Sequence, residues 1–511
     1  MVKRILQINR ADNVGVVLQS ITPDDEIEFS GKKLRIKENI PTGHKLALVD
    51  IPRGDRVIKY GSSIGEAITD IPAGSWVHTH NLKTGLKERE EYNYQPVFRE
   101  EIIKEEIIGL EKMPDKIPEF CGYPRKDGQV GIRNEIWIIP TVGCINKVAE
   151  RLAILAEEKY LALLNEGLLD GIHAFTHPYG CSQLGDDLEN TQKILAGLVK
   201  HPNAAGVLVL GLGCENNVLE DFQAFIGDHD QERVRFLRLQ DVGDEIERGL
   251  KELAALVDYA KGFRQETLPV SELKLGLKCG GSDAFSGITA NPLLGEISNK
   301  LVSLGGTVVL TEVPEMFGAE QILMNRARDQ GVFTDIVSLI NGFKDYYVSN
   351  KQPVYENPSP GNKEGGITTL EEKSLGCTQK GGHVPVNGVK FYGDQVQGKG
   401  LYLLESPGND LVSTTALTAA GVHLILFTTG RGTPFGGPVP TVKVSTNTAL
   451  SEQKKNWIDF NAGKLLEGKG MGELSAEFFA YIIEVASKNI LTKNEQNNYR
   501  EIAIFKKGVT L

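Results

Sequence analysis

Four short apolar runs in this chain stop at a glycine–cysteine junction, and that repeat limits the fold more than any other feature. Ile136-Trp137-Ile138-Ile139 leads to Gly143-Cys144, and Gly171-Ile172-His173-Ala174-Phe175 leads to Gly180-Cys181. Val207-Leu208-Val209-Leu210 leads to Gly213-Cys214, and Leu273-Lys274-Leu275-Gly276-Leu277 leads to Cys279-Gly280-Gly281. Short apolar runs that end at glycine read as buried parallel strands, and parallel sheets carry their binding loops at the carboxyl ends of the strands. A fifth pair, Gly376-Cys377, lies further on. Thiols repeated at such positions predict one polar, sulfur-lined mouth.

From Gly122 onward the order is strand, glycine turn, helix. Lys147–Leu164 and Leu184–Val199 carry apolar residues at helical spacing, the second with Asp186-Asp187 in its first turn, where the helix dipole favours acids. Gly306–Leu310, Leu401–Leu404 and Val422–Phe427 supply further strands. Such alternation predicts right-handed parallel crossovers with helices on both faces of a sheet. The first part differs. Val14–Leu18, Lys33–Ile36, Leu46–Val49, Val57–Tyr60 and Trp76–His80 are short β-like runs separated by Gly and Pro, the pattern of a small antiparallel, clip-like β domain. The fold class is therefore α/β: a small N-terminal β-clip domain (1–95), a charged linker (96–120) with runs such as Arg99-Glu100-Glu101, and two Rossmann-like α/β domains with mostly parallel sheets (121–268 and 269–511).

The net charge of -11 argues against nucleic-acid and anionic-membrane partners. No run approaches the roughly 20 apolar residues that cross a bilayer, and the N-terminus lacks a signal-peptide core. A cytoplasmic setting keeps thiols reduced, so the six cysteines read as free, metal-bound or catalytic. Nucleotide-binding glycine fingerprints and Cys-Xaa-Xaa-Cys pairs are missing from the sequence.

Several segments have the residue types for chemistry. His78 and His80 alternate along a predicted strand, with His44 at the head of another. Together they form either a divalent-metal site or a pair of solvated histidines. Arg133 can clamp a carboxylate through two hydrogen bonds or pair with a structural acid. His177, Asn216, Asn217, Lys278, Asp283, Glu312, Glu315 and Arg431 all sit in glycine-rich loops after predicted strands. Jointly these loops suggest a pocket for a small, oxygen-rich anion. Asn357 to Gly382, rich in Gly and Pro and carrying Lys363, Lys373 and Lys380, reads as a closing loop or an inter-domain connector.

The loops also resemble a known family. Pro140-Thr141-Val142-Gly143-Cys144, Tyr179-Gly180-Cys181-Ser182-Gln183, Gly211-Leu212-Gly213-Cys214-Glu215-Asn216-Asn217 and Cys279-Gly280-Gly281-Ser282-Asp283 are similar to the altronate/galactarate dehydratase family, which includes sulfolactate sulfo-lyases. So are Thr311–Glu320 and Glu356–Asn362, and Gly43–Leu48 with Val77–Asn81 resemble the family's β-clip "SAF" domain. The resemblance implies iron- or manganese-dependent dehydration of D-altronate to 2-keto-3-deoxy-D-gluconate in hexuronate catabolism. Galactarate dehydration and sulfite elimination stand as alternatives within the family, and a sugar-acid binding protein stands outside it.

Under that resemblance the metal (Fe2+ or Mn2+) falls to His44, His78 and His80. Proton transfer falls to Glu312, Glu315, Lys278 and His177, and substrate binding to Arg133, Asn216, Asn217, Asp283 and Arg431. An iron–sulfur cluster on Cys144, Cys181 and Cys279 is the alternative cofactor. The partner is a small sugar acid, with self-association left open.

Overall fold

The computed structural model describes residues 4–23, 25–29, 31–98 and 117–511. Most of the charged linker, 99–116, lies outside them. The first domain is antiparallel throughout. It has a four-stranded sheet in the spatial order Ile5–Leu6, Val14–Val17, Lys45–Ala47, Trp76–Val77, a three-stranded sheet of Arg56–Lys59, Ser62–Ala67 and Leu82–Lys83, and the hairpin Glu26–Phe29/Lys32–Arg35. Its strands are brief because Gly and Pro recur every few residues.

One strand is shorter than its alternation suggests. It ends at Val77, because Asn81 folds back to accept the His78 N–H at 2.9 Å and to donate to the Trp76 carbonyl at 2.8 Å. His78 and His80 therefore lie in a turn and do not share a strand face.

The middle domain holds a wholly parallel sheet in the order Gly171–Ala174, Glu135–Pro140, Ala204–Gly211, Val234–Arg238. The third domain holds a seven-stranded parallel sheet. Its order is Val386–Lys390, Gly400–Leu404, Thr307–Leu310, Lys274–Cys279, Leu424–Thr429, Thr441–Ser445, Phe460–Asn461. In both sheets the chain starts centrally, adds strands on one side and then crosses to the other. Ligands of open α/β sheets bind at such switch points, outside the carboxyl ends.

The two α/β domains share a core. Trp137, Ile139 and Phe175 of one pack in the same buried cluster as Val309, Ile425 and Phe427 of the other. The helix Gly185–Val199 meets the helix Asp410–Ala419 so closely that a Cβ on Gly197 would stand 2.5 Å from the Ala419 carbonyl oxygen. Among the described residues no helix is long and apolar enough to cross a membrane.

Candidate active site

The switch point of the third sheet gathers charge that hydrophobic burial alone would reject. Lys278 and Cys279 end the strand Lys274–Cys279, Glu312 and Glu315 follow Thr307–Leu310, and Asp410 follows Gly400–Leu404. Lys373, Cys377 and Lys380 come from the helix Leu370–Cys377 and the turn after it. Lys278, Glu312 and Lys380 are 0–1% exposed. Buried charges persist only when paired, and here every one is. Lys278 Nζ bonds Glu312 and lies 2.9 Å from Asp410 Oδ1. Lys380 Nζ bonds Glu312 Oε2 at 2.9 Å, and Lys373 Nζ bonds Glu315 Oε1 at 2.8 Å.

Glu312 adopts a left-handed backbone (φ 70°, ψ 61°), a strained conformation for a residue with a Cβ. Its carboxylate is pinned by Lys278, Lys380 and the Cys279 N–H at 2.9 Å. Asp410 reaches the site because residue 280 is glycine: a Cβ there would meet Asp410 Oδ2 at 2.6 Å.

The two buried thiols lie 3.4 Å apart, and Glu315 Oε2 lies 3.0 Å from Cys279 Sγ and 3.1 Å from Cys377 Sγ. These three side chains form a donor set that can hold a metal ion. The charges fit one. Lys278, Lys373 and Lys380 balance Glu312, Glu315 and Asp410, so the cluster is neutral with both thiols protonated. Exchange of two thiol protons for a divalent cation keeps it neutral. Burial pushes the Glu315 carboxyl up, but the ammonium groups of Lys373, Lys278 and Lys380 outweigh it and hold the group well below the usual carboxylate range. The bond to Cys279 and burial raise the Cys377 thiol. Burial opposes the charge on Lys278, yet Asp410 and Glu312 hold it protonated, and Glu315 does the same for Lys373.

A cleft of about 470 Å³ opens onto this cluster, walled by Gly280, Glu315, Lys373, Asp410 and the segment Glu356–Lys363. That segment and the helix after it are not a loose lid. Ser359 caps the turn Pro360–Glu364 and Asn362 donates to the Ser282 carbonyl at 2.8 Å. Lys373 and Lys380 are buried in the cluster itself. Sequence reasoning missed both lysines as site residues, and missed Cys377 and Asp410. The Gly376-Cys377 pair and the lysines of the Asn357–Gly382 segment were the signals available.

Among the described residues, His44, His78 and His80 do not bring three ring nitrogens within 4.8 Å of one another. His44 uses both ring nitrogens, accepting from Trp76 Nε1 at 3.1 Å and meeting the Glu364 carbonyl at 3.2 Å. His78 stacks on Trp76, with ring centroids 5.3 Å apart, and His80 is exposed on the indole's other neighbourhood, 5.4 Å away. The histidine rings gather around Trp76, and His44 joins that cluster to the Glu364 carbonyl.

Other predicted residues also serve structure. Arg133 is buried in a two-pronged pair with Glu495 (2.7 and 3.1 Å). His177 spends both nitrogens on the Pro140 carbonyl and the Tyr179 N–H. Asp283 accepts from Ser286, Thr446 and Asn447. Asn216 and Asn217 tie loops of the middle domain, through Ser182 and Thr141. Arg431 lies at the cleft rim, on the Gly361 carbonyl and Glu364. Cys144 and Cys181 are exposed on the middle domain, whereas Cys279 is in the buried cluster.

Comparisons with known proteins agree with this layout. The family models described as D-galactarate/Altronate dehydratase, C-terminal, as D-galactarate dehydratase/Altronate hydrolase, second domain, and as Altronate/galactarate dehydratase SAF domain match residues 270–510, 122–261 and 3–85. An altronate dehydratase of Bacillus subtilis (strain 168) is 51% identical over 100% of both chains, and one of Escherichia coli (strain K12) is 49% identical over 99% of both. A galactarate dehydratase (L-threo-forming) of Escherichia coli (strain K12) is 32% identical, over 98% of this chain and 96% of its own. With matches at this identity running the whole length of the sequence, the chain belongs to the altronate/galactarate dehydratase family.

Proposed function

We propose that this chain is a hydro-lyase that converts D-altronate to 2-keto-3-deoxy-D-gluconate in cytoplasmic hexuronate catabolism. The observation that carries the reaction class is the buried lysine, carboxylate and thiol cluster opening on a cleft of sugar-acid size. The substrate choice is supported by identities of 49–51% to altronate dehydratases, against 32% to the galactarate dehydratase and to a sulfolactate sulfo-lyase subunit. Six free cysteines suit a reducing compartment.

The proton beside a carboxylate is weakly acidic, so its removal needs stabilisation of the charge that develops. A divalent ion on Cys279, Glu315 and Cys377 would supply Lewis acidity toward the substrate carboxylate and hydroxyls. Two thiols and one carboxylate suit Fe2+, with Mn2+ as a substitute, better than Mg2+. Lys363, on the cleft wall, would meet the substrate carboxylate. Asp410 would take the C2 proton: it faces the cleft and is ion-paired to Lys278 at its back. Lys373 would donate a proton to the departing 3-hydroxyl. Loss of that proton and of water leaves the enol, which tautomerises to the 2-keto acid. Glu312 and Lys380 hold the set rigid from below.

The test is an anaerobic assay on metal-stripped protein with D-altronate, with and without ferrous iron, followed by 2-keto acid formation, with galactarate in parallel. Iron-dependent product from altronate alone is expected. Reversible binding without product would favour the binding-protein reading, and preferential turnover of galactarate would move the substrate.

A further inference from the structure

The remaining Gly–Cys junctions belong to a different place. Cys144, Cys181 and Cys214 are all exposed, and all follow adjacent parallel strands of the middle sheet: Glu135–Pro140, Gly171–Ala174 and Ala204–Gly211. Neighbouring strands are about 4.8 Å apart, so three adjacent loops share one small area at that sheet's switch point.

Hydrogen bonds tie the loops to one another. Gly143 N–H donates to the Tyr179 carbonyl at 2.8 Å and Asn217 N–H to the Gly180 carbonyl at 2.9 Å. Ser182 N–H donates to Asn216 Oδ1 at 2.7 Å, and Asn217 Nδ2 to the Thr141 carbonyl at 3.2 Å. The glycine before Cys181 is what lets the loops close: a Cβ on Gly180 (φ +95°) would fall 1.9 Å from the Thr141 carbonyl oxygen. Each cysteine also precedes a helix, Asn146–Lys159, Gly185–Val199 or Leu219–Ile226, whose N-terminus favours negative charge nearby. Donors already reach two of the sulfurs, Gln240 Nε2 at 3.6 Å from Cys214 Sγ and Ser182 Oγ at 3.9 Å from Cys181 Sγ.

We infer that Cys144, Cys181 and Cys214 form a second metal site that holds one [4Fe–4S] cluster. A single ion does not fit. Among the described residues, Cys279, Glu315 and Cys377 are the one group of three ligand atoms lying within 4.8 Å of one another, so the loop thiols stand wider than one ion's shell. A polynuclear cluster takes thiols set further apart than the ligands of one ion, and clusters draw cysteine ligands from separate loops. Three protein thiolates leave one iron without a protein ligand, facing outward from the carboxyl ends. The site is independent of the ion proposed at Cys279, Glu315 and Cys377 and of the substrate.

The experiment is ligand exchange under anaerobic conditions, using the full-length chain and a synthetic [4Fe–4S] cluster capped by four small thiolates. Each cysteine thiol passes its proton to a departing small thiolate as one iron–sulfur bond forms and another breaks, so no oxidant or reductant is needed. After desalting, about four irons and four acid-labile sulfides per chain are expected, with sulfide-to-iron charge-transfer absorption. C144S, C181S and C214S should each lose most of the bound sulfide, with unchanged far-ultraviolet circular dichroism, while C121S and C377S retain it. Absence of acid-labile sulfide from the wild type, equal retention in all three loop variants, or equal loss in C121S would each overturn the assignment.

Discussion

Cys377 is a thiol held protonated by its surroundings, 3.4 Å from a second thiol and 3.1 Å from a carboxylate. A divalent ion bound there must displace protons, so its affinity rises with pH. We expect the logarithm of the binding constant for ferrous iron to climb by at least one per pH unit near pH 7, and Cys377→Ser to lower that slope by about one. Titrations at three pH values would measure it, and a flat dependence would place the ion elsewhere. Asp410 makes a separate prediction. Asp410→Asn keeps the shape of the side chain but removes the proton acceptor, so kcat should fall roughly 10²–10⁴-fold with KM little changed. A variant within a factor of a few of wild type would return the role of base to Glu312, which lies behind it with Lys278 between.

The helix Leu370–Cys377 is the element on which the first domain acts. Lys45 and Lys59, both from that domain, converge on Glu372 at 2.8 and 2.7 Å, all three buried. The neighbouring Glu371 accepts from Thr84 Oγ1 at 2.9 Å and from the Gly85 N–H at 2.7 Å. Lys373 follows Glu372, and one turn on is Cys377, so the β domain grips the helix beside two groups of the cleft. Glu372→Gln leaves two buried ammonium groups without a counter-charge and should cost about 3–5 kcal/mol of stability. Urea unfolding would read it, and a loss below about 1 kcal/mol would mean the lysines find other partners. This helix also marks where the sequence stopped being legible. Strand ends were visible because apolar runs and glycines are local signals, and they placed Lys278, Glu312 and Glu315 beside one another. Lys373 and Lys380 were invisible as core residues, since lysine is ordinarily a surface residue and their carboxylate partners lie 58 and 68 positions away in sequence. His78 and His80 misled for the opposite reason. Their alternation is a local strand signal, and a single side chain, Asn81, overrides it by closing a turn.

Across the whole molecule, three buried histidines share one hydrogen-bonding pattern that only a neutral ring can make. His177 Nδ1 accepts the Tyr179 N–H at 3.2 Å, His201 Nδ1 the Asn203 N–H at 3.1 Å, and His423 Nδ1 the Lys274 N–H at 3.2 Å. A protonated Nδ1 has no lone pair with which to accept. Burial accordingly pushes His177 down to about 4 and His201 to about 3, and lowers His423 as well. His201 Nε2–H donates across the domain boundary to the Val422 carbonyl at 2.9 Å, and protonation of Nδ1 breaks the Asn203 N–H bond that orients the ring for that contact. The direction of the pH effect follows from proton counts. Below about 6.5 the unfolded chain binds a proton at each of these rings and the folded chain does not, so stability present above that pH is lost as the pH falls toward 4. Each ring contributes at most about 1.4 kcal/mol per pH unit in that window. Buried Asp459, held up to about 6, opposes them by no more than one proton. Exposed carboxylates stay ionised in both states down to about pH 5, so between pH 6.5 and 5 the balance lies between the buried histidines and the buried carboxyls that burial pushes up, Asp459, Glu135 and Asp283 among them. Urea unfolding at pH 7.5, 6.5, 5.75 and 5 should show a net uptake of at least one proton on unfolding. His201→Gln, whose amide oxygen can still accept the Asn203 N–H, should lower that uptake by about one. An unfolding free energy that stays level from pH 6.5 to 5 would mean that these rings titrate alike in both states and that the domain contact does not depend on their neutrality.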